Sequence, residues 1–263
     1  MSHLGHELAA VLYLGAALYG WMGRSRPWTG SVVVWGVLLG AMAHAAGLYG
    51  LHVETPPVPL EAFPGALSLI GLLLVVAFLG ALAVAPVRSA GVWVAAIGAV
   101  FTAIAELGFW LREPVGVSEL GAGGWSHAHV LLSTAGFSLL ALASLAGLGY
   151  LGKERQLKRK RPPRFFLPAL ESIDRAEHAT LSLGYALLSL GVVSGFGWGL
   201  SHGQSAWTAH SLFLLVAWAI YLAPVGLRVV RHQHGPRPAR GVVVSFAILA
   251  CSYLGVRLLG VLT

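Results

Sequence analysis

Runs of about twenty consecutive apolar residues recur along this 263-residue chain. Twenty helical residues rise about 30 Å, the thickness of a bilayer's hydrocarbon layer. Within that layer every backbone N–H and C=O must be satisfied inside the segment, so a single continuous run crosses only as a helix. Eight such runs occur, near 5–23, 29–51, 65–86, 90–111, 125–151, 176–200, 206–228 and 241–261. They lack the alternation of a transmembrane barrel. Composition agrees, since 57% hydrophobic and 10% charged residues leave too little charge to coat a soluble domain. The expected fold class is all-α: a polytopic membrane bundle of eight transmembrane helices forming one domain over 1–263. The first run is too long for a removed signal peptide and ends without a small-residue cleavage site, so it reads as a retained span.

Basic residues gather at every second connection: "RSRP" (24–27), "VRSA" (87–90), "KERQLKRKRPPR" (153–164) and "RVVRHQHGPRPAR" (228–240). The positive-inside rule places these in the cytoplasm and both termini on the outer, periplasmic side of a bacterial inner membrane. The intervening loops hold few basic residues, and Trp21, Trp28, Trp110, Trp125, Trp198 and Trp207 fall near span ends, where interfacial belts form. The net charge of +7 raises the question of nucleic acid. The main basic run directly follows a span, which is what orientation and contact with anionic lipid require, so nucleic acid is not expected as a partner. Residues 153–175 read as a basic, amphipathic cytoplasmic connection, with "FLPALESIDRAEH" (166–178) lying along the membrane face before the sixth span.

A single cysteine, Cys251, excludes a disulfide framework, a CxxC redox pair and a CxxCH haem attachment. No nucleophile with its base, no phosphate loop and no metal motif is present, so an enzyme is not expected. Histidine remains, in eleven copies. His178, His232 and His234 fall on the cytoplasmic side, and His3 and His6 precede or open the first span. His44, His52, His127, His129, His202 and His210 belong to the outer half or outer loops. At helical rise, His44 sits about 10 Å, His129 about 6 Å and His210 about 8 Å below the outer ends of their spans. Imidazoles at matched depth on separate helices are how a bundle holds a b-type haem between axial ligands, and polar groups at such depth are costly unless used.

The surroundings suit a flat ligand. His44 lies in "GAMAHAAG", and His129 has Ser133 and Gly136 one and two turns along its own face. Small residues serve helix packing equally well. Arg257 and Arg112, at outer span ends, are placed for haem propionates, although each also has an ordinary role in reaching lipid phosphates. Glu106 is the one acid deep in a span; it either orients a ligand histidine or hydrogen-bonds a histidine with no cofactor.

The segments "AHVLLSTAGFSLLALASLAGLGYLGKERQLKRK", "LPALESIDRAEHATLSLGYALLSLGVVSG", "VPLEAFPGALSLIG" and "SYLGVRLLG" together resemble the HemX/YpjD-like branch of the CcsA/CcmC cytochrome c assembly superfamily. The resemblance implies eight spans and haem handling. It makes His129 the counterpart of the family's external haem histidine and His44 that of a second-span histidine frequent in the branch. Departures accompany it. Where the family carries a Trp-rich external segment ending in Trp-Asp, this chain has "GWGLSHGQSAWTAH"; "IYLAPVGLR" lacks the family's histidine; and the sequence reaches Thr263 without a second external one. His210 is the candidate to replace that last ligand.

The expectation is an integral membrane protein that binds haem b near the outer leaflet through His129 and either His44 or His210. It would act in haem handling or in cytochrome c or tetrapyrrole biogenesis, with a haem-biosynthesis or cytochrome-maturation protein as partner. The alternatives are a transmembrane cytochrome b, for which an inner-leaflet histidine pair is lacking, and a haem-free scaffold or transporter accessory.

Overall fold

The computed structural model describes residues 2–23, 28–53, 62–111, 124–160, 167–201 and 209–262. Eight long helical segments account for nearly all of them, and no strand occurs among the described residues. They are α1 (Ser2–Met22), α2 (Thr29–Val53), α3 (Phe63–Val84), α4 (Gly91–Trp110), α5 (Gly124–Lys158), α6 (Leu170–Ser201), an interrupted segment of α7 (Ala209–Ile220) and α8 (Leu222–Val225), and α9 (Pro236–Leu262). A 3-10 turn, Arg88–Ala90, leads into α4.

Five stretches are long and apolar enough to cross a membrane by length and composition: Thr29–Val53, Phe63–Val84, Arg88–Trp110, His127–Lys158 and Leu170–Ser201. The chain is a multi-pass membrane protein. Its outward surface confirms the solvent, because α1 exposes Leu4, Leu8, Val11, Leu14, Leu18 and Trp21 at helical spacing, an apolar stripe unsuited to water.

The chain divides into two compact units. In the first, α1 packs on α2 and α4, and α3 on α4 and α2. Its centre is filled by Tyr13, Val33, Val37, Leu74, Val75 and Phe78, all essentially inaccessible. The α1 and α2 backbones meet closely at Gly5 and Gly47: a Cβ on Gly5 would lie 2.5 Å from Gly47 Cα. Only residues without a side chain permit that approach.

In the second unit, α5 and α6 form a long pair and α9 closes on α5 and α7. Leu140, Ala143, Leu181, Leu188, Ala217, Tyr221, Val242 and Leu249 make its apolar core. Trp218 stacks on Tyr185 at 5.7 Å and donates its indole N–H to Ser189 Oγ at 2.8 Å, so its one polar atom is satisfied.

Two local readings of the sequence are revised. Residues 170–178 are not a separate surface segment but the opening turns of α6, which runs unbroken to Ser201 once Pro168 has been passed. The seventh apolar run is not one regular helix. Pro224 has no N–H to give to Ile220, and the ladder changes type around it. Tyr221 N–H bonds three residues back to Trp218, Gly226–Val230 forms a π turn, and Arg231 N–H reaches five residues back to Gly226.

Candidate functional site

Polar side chains occur inside both units. In the first, a line of them crosses all four helices. Nε2 of His6 on α1 and Nε2 of His44 on α2 each lie 2.9 Å from the hydroxyl of Ser68 on α3. His44 Nδ1 faces Thr102 Oγ1 on α4 at 3.4 Å, and Thr102 donates to the Gly98 carbonyl at 2.7 Å. His6, His44, Ser68 and Thr102 are all fully buried. The two imidazoles meet edge-on, 5.2 Å between ring centres.

Both ring nitrogens of His44 are therefore engaged, and iron would have to displace Ser68 or Thr102 to reach them. The small residues around His44 are also taken up by helix contacts. Gly40 receives the Tyr13 ring, where a Cβ would lie 2.5 Å from Tyr13 Cε1. Gly47 abuts His6, where a Cβ would lie 2.6 Å from Nδ1. One turn beyond Thr102, Glu106 accepts a hydrogen bond from His3 Nδ1 at 2.6 Å, while its other oxygen is buried without a partner among the described residues. The carboxylate thus serves a histidine of α1. The sequence places His3 and His6 ahead of or at the opening of the first span and does not single them out for the site; their three-residue spacing, which puts them on one helix face, is the signal that they could act together.

In the second unit, His129 sits near the start of α5, where α6 passes at very short range. Its Nδ1–H donates to the Gly191 carbonyl at 2.8 Å, and Ser133 Oγ lies 3.4 Å away on the next turn. Ser194 donates to the same carbonyl at 2.9 Å. A carbonyl only accepts, so the proton of a neutral ring is held on Nδ1 and the Nε2 lone pair is left available. Nε2 has no hydrogen bond among the described residues. The ring meets α6 closely at Gly195, where a Cβ would stand 2.6 Å from Cε1 and 2.8 Å from Nδ1. Further along, Gly136 meets Leu188 and Gly184 meets Leu139 and Leu140, so the pair remains closely packed for several turns. Of the two small neighbours expected beside His129, Ser133 touches it and Gly136 contacts α6 instead.

The remaining expected residues are placed in part. His210 lies at the start of α7 and Arg257 near the end of α9, but their side chains fall outside the described residues, as does Arg112 altogether. His44 belongs to the first unit, and His129 and His210 to the second.

A further buried set was missed because its arginine lies in a basic stretch. Arg228, on the π turn, is fully buried. Its Nη1 donates to Asp174 Oδ1 at 2.5 Å, and its Nη2 lies 2.9 Å from Glu177 Oε2 in a buried ion pair. Arg228 is therefore not a solvated orientation charge.

The model of the cytochrome c assembly protein family matches residues 58–263, from just ahead of α3 through α9. The chain belongs to the cytochrome c assembly protein family. His129, Glu106, His210 and Arg257 lie inside the matched segment and His44 ahead of it. Relatives within the family are cytochrome c biogenesis proteins CcsA. That of Synechococcus sp. (strain CC9605) is 33% identical over 93 residues, 35% of this chain and 31% of the relative. That of Synechococcus elongatus is 29% identical over 145 residues, 54% and 44% of the two chains. That of Guillardia theta is 24% identical over 155 residues, 52% of each. The chain thus spans about a third to a half of the length of the family members it matches.

Proposed function

We propose that this cytochrome c assembly family protein handles haem for cytochrome c or tetrapyrrole biogenesis, with His129 as an axial ligand. One observation carries the reading: the Gly191 carbonyl holds Nδ1–H of His129, which is how a metal-binding imidazole is oriented by its other nitrogen. The residues fit the group in this respect, and Gly195, with no side chain, leaves room for the ring beside α6. His210, in the same unit, is the better second ligand, because His44 already spends both nitrogens on hydroxyls. Bound through two imidazoles, haem b would supply a low-spin iron centre. Arg257 and Arg112 would neutralise its propionates, and Glu106 would serve the first unit's polar line rather than the iron.

The same reading takes the protein to have eight spans and both termini outside a bacterial inner membrane, supported by the basic connections at alternate loops and the apolar stripe of α1. A maturation or haem-biosynthesis protein would receive or deliver the haem, and no catalytic step of the chain's own is invoked. The test is the Soret absorbance of detergent-purified protein, wild type beside His129→Ala and His210→Ala, with pyridine haemochrome analysis of the pigment. Loss of most of the band in the two variants, with haem b in the wild type, is expected. An undiminished band in His129→Ala removes that residue from the site.

A further inference from the structure

Among the described residues of the second unit, every acid is already matched to a cation. Glu154 holds Lys158, Glu171 holds Arg175, and Asp174 and Glu177 share Arg228, with His234 against the other oxygen of Asp174. Arg231, just past the π segment, and Arg237 and Arg240, in the opening turns of α9, are exposed and meet no carboxylate among the described residues. Like charges this close in the chain repel one another, so the three guanidiniums draw their counter-charge from a partner.

Helical spacing says what faces them. Arg237, Arg240, Val244, Ala247 and Cys251 follow one another at three or four residues and are all exposed, so they form one outward stripe along α9, while Ala239, Val242 and Leu249 are buried. From Gly241 to Leu262 the only charged residue is Arg257, and that length rises about 33 Å, enough to cross the hydrocarbon. The stripe then meets acyl chains from Val244 onward. Its two arginines fall at the boundary and about 5 Å beyond it, the height of lipid phosphates. The longest basic run stands differently. A Cβ on Gly147 of α5 would lie 3.1 Å from the Ala239 carbonyl, so these two residues share a level. Arg155 and Arg159 are exposed about 12 and 18 Å further along α5, out in the water.

We propose that the start of α9 binds the headgroup of an anionic phospholipid. Arg237 and Arg240 donate to its phosphodiester oxygens, Arg231 adds to the cationic rim, and the acyl chains lie along Val244, Ala247 and Cys251. A guanidinium presents paired N–H donors that match phosphate oxygens, and at the edge of the hydrocarbon such a bond is stronger than in open water. The turn keeps Arg231 near the helix start: Gln233 N–H bonds back to the Leu227 carbonyl at 2.9 Å, and Gly235, at φ 108°, redirects the chain into α9. The site rests on α9 crossing the bilayer, as in the eight-span reading above, and is independent of the haem ligands.

Native mass spectrometry of the full-length purified protein, with phosphatidylglycerol or phosphatidylcholine added, tests this. Retained phosphatidylglycerol is expected to exceed phosphatidylcholine several-fold in the wild type. Arg237→Gln with Arg240→Gln should bring it down to the phosphatidylcholine level, whereas Arg155→Gln with Arg159→Gln, which removes as much charge, should leave it nearly unchanged. Inorganic phosphate should not compete. In phosphatidylglycerol nanodiscs Cys251, the only cysteine, should react with an uncharged maleimide and resist a charged one. Equal losses in the two double variants would mean diffuse charge attraction and overturn the site, as would undiminished binding in the α9 variant or displacement by inorganic phosphate. Labelling of Cys251 by the charged reagent overturns it through the span on which it rests, and the Soret band of the same samples scores the haem reading separately.

Discussion

His6 and His44 are joined through one hydroxyl: the Nε2 atoms of both rings lie 2.9 Å from Ser68 Oγ, so three helices of the first unit meet at a single oxygen. Ser68→Ala would leave two buried imidazole nitrogens without a partner. The expected loss is about 1–3 kcal/mol. Thermal unfolding in detergent measures it, and a melting temperature equal to wild type would mean that water replaces the hydroxyl.

His44→Leu separates packing from ligation. If both nitrogens of His44 serve the polar line, the variant lowers stability yet retains its haem per folded protein. Soret absorbance normalised to folded protein is the measurement, and its loss together with retained folding would return His44 to the iron.

Two glycines on opposite faces of α6, Gly195 and Gly197, give a sharper test of the His129 site. Gly195→Ala puts a methyl 2.6 Å from His129 Cε1, so the ring must swing away from Gly191. Bound haem should fall several-fold, or the Soret band shift. A Cβ at Gly197 meets nothing within 4 Å, so Gly197→Ala should leave the spectrum unchanged and stabilise α6 by up to about 1 kcal/mol. Equal behaviour of the two variants would contradict the contact.

Arg228→Met removes the guanidinium that faces the carboxylates of Asp174 and Glu177 while keeping much of the volume. Breaking such a buried pair from one side costs about 3–5 kcal/mol, far more than losing a surface arginine. Arg231→Met, on an exposed neighbour, should change stability by no more than about 0.5 kcal/mol. Comparative melting of the two proteins decides it.

The helical class was legible because a bilayer leaves the backbone few options, and length with composition then identifies the rods. The pairing of His129 with Ser133 was legible too, since a four-residue spacing fixes a shared face. Tertiary contacts were not. Nothing local to His44 announces that Ser68 and Thr102, from two other helices, will take its nitrogens, and "GAMAHAAG" reads alike whether its small residues admit a ligand or a neighbouring helix. Arg228 was hidden for a different reason. Basic residues in a connection are ordinarily solvated, and only the acids at 174 and 177, on a helix fifty residues upstream in the chain, make its burial tolerable. Pro224 did signal the break in the seventh run, but a proline alone does not say that the chain will loosen into a π turn beyond it.

The single proton of Ser68 has a consequence for the line that it joins. Thr102 spends its hydrogen on Gly98, so it can only receive from His44, and a neutral His44 must then accept from Ser68. Ser68, with its hydrogen spent, must receive from His6. The row is polarised in one sense, every donor aimed from the α1 end or from the serine toward α4, and no member can reverse without reversing its neighbours. Evolution at these positions would therefore proceed by concerted replacement of the whole row rather than by exchange of one member.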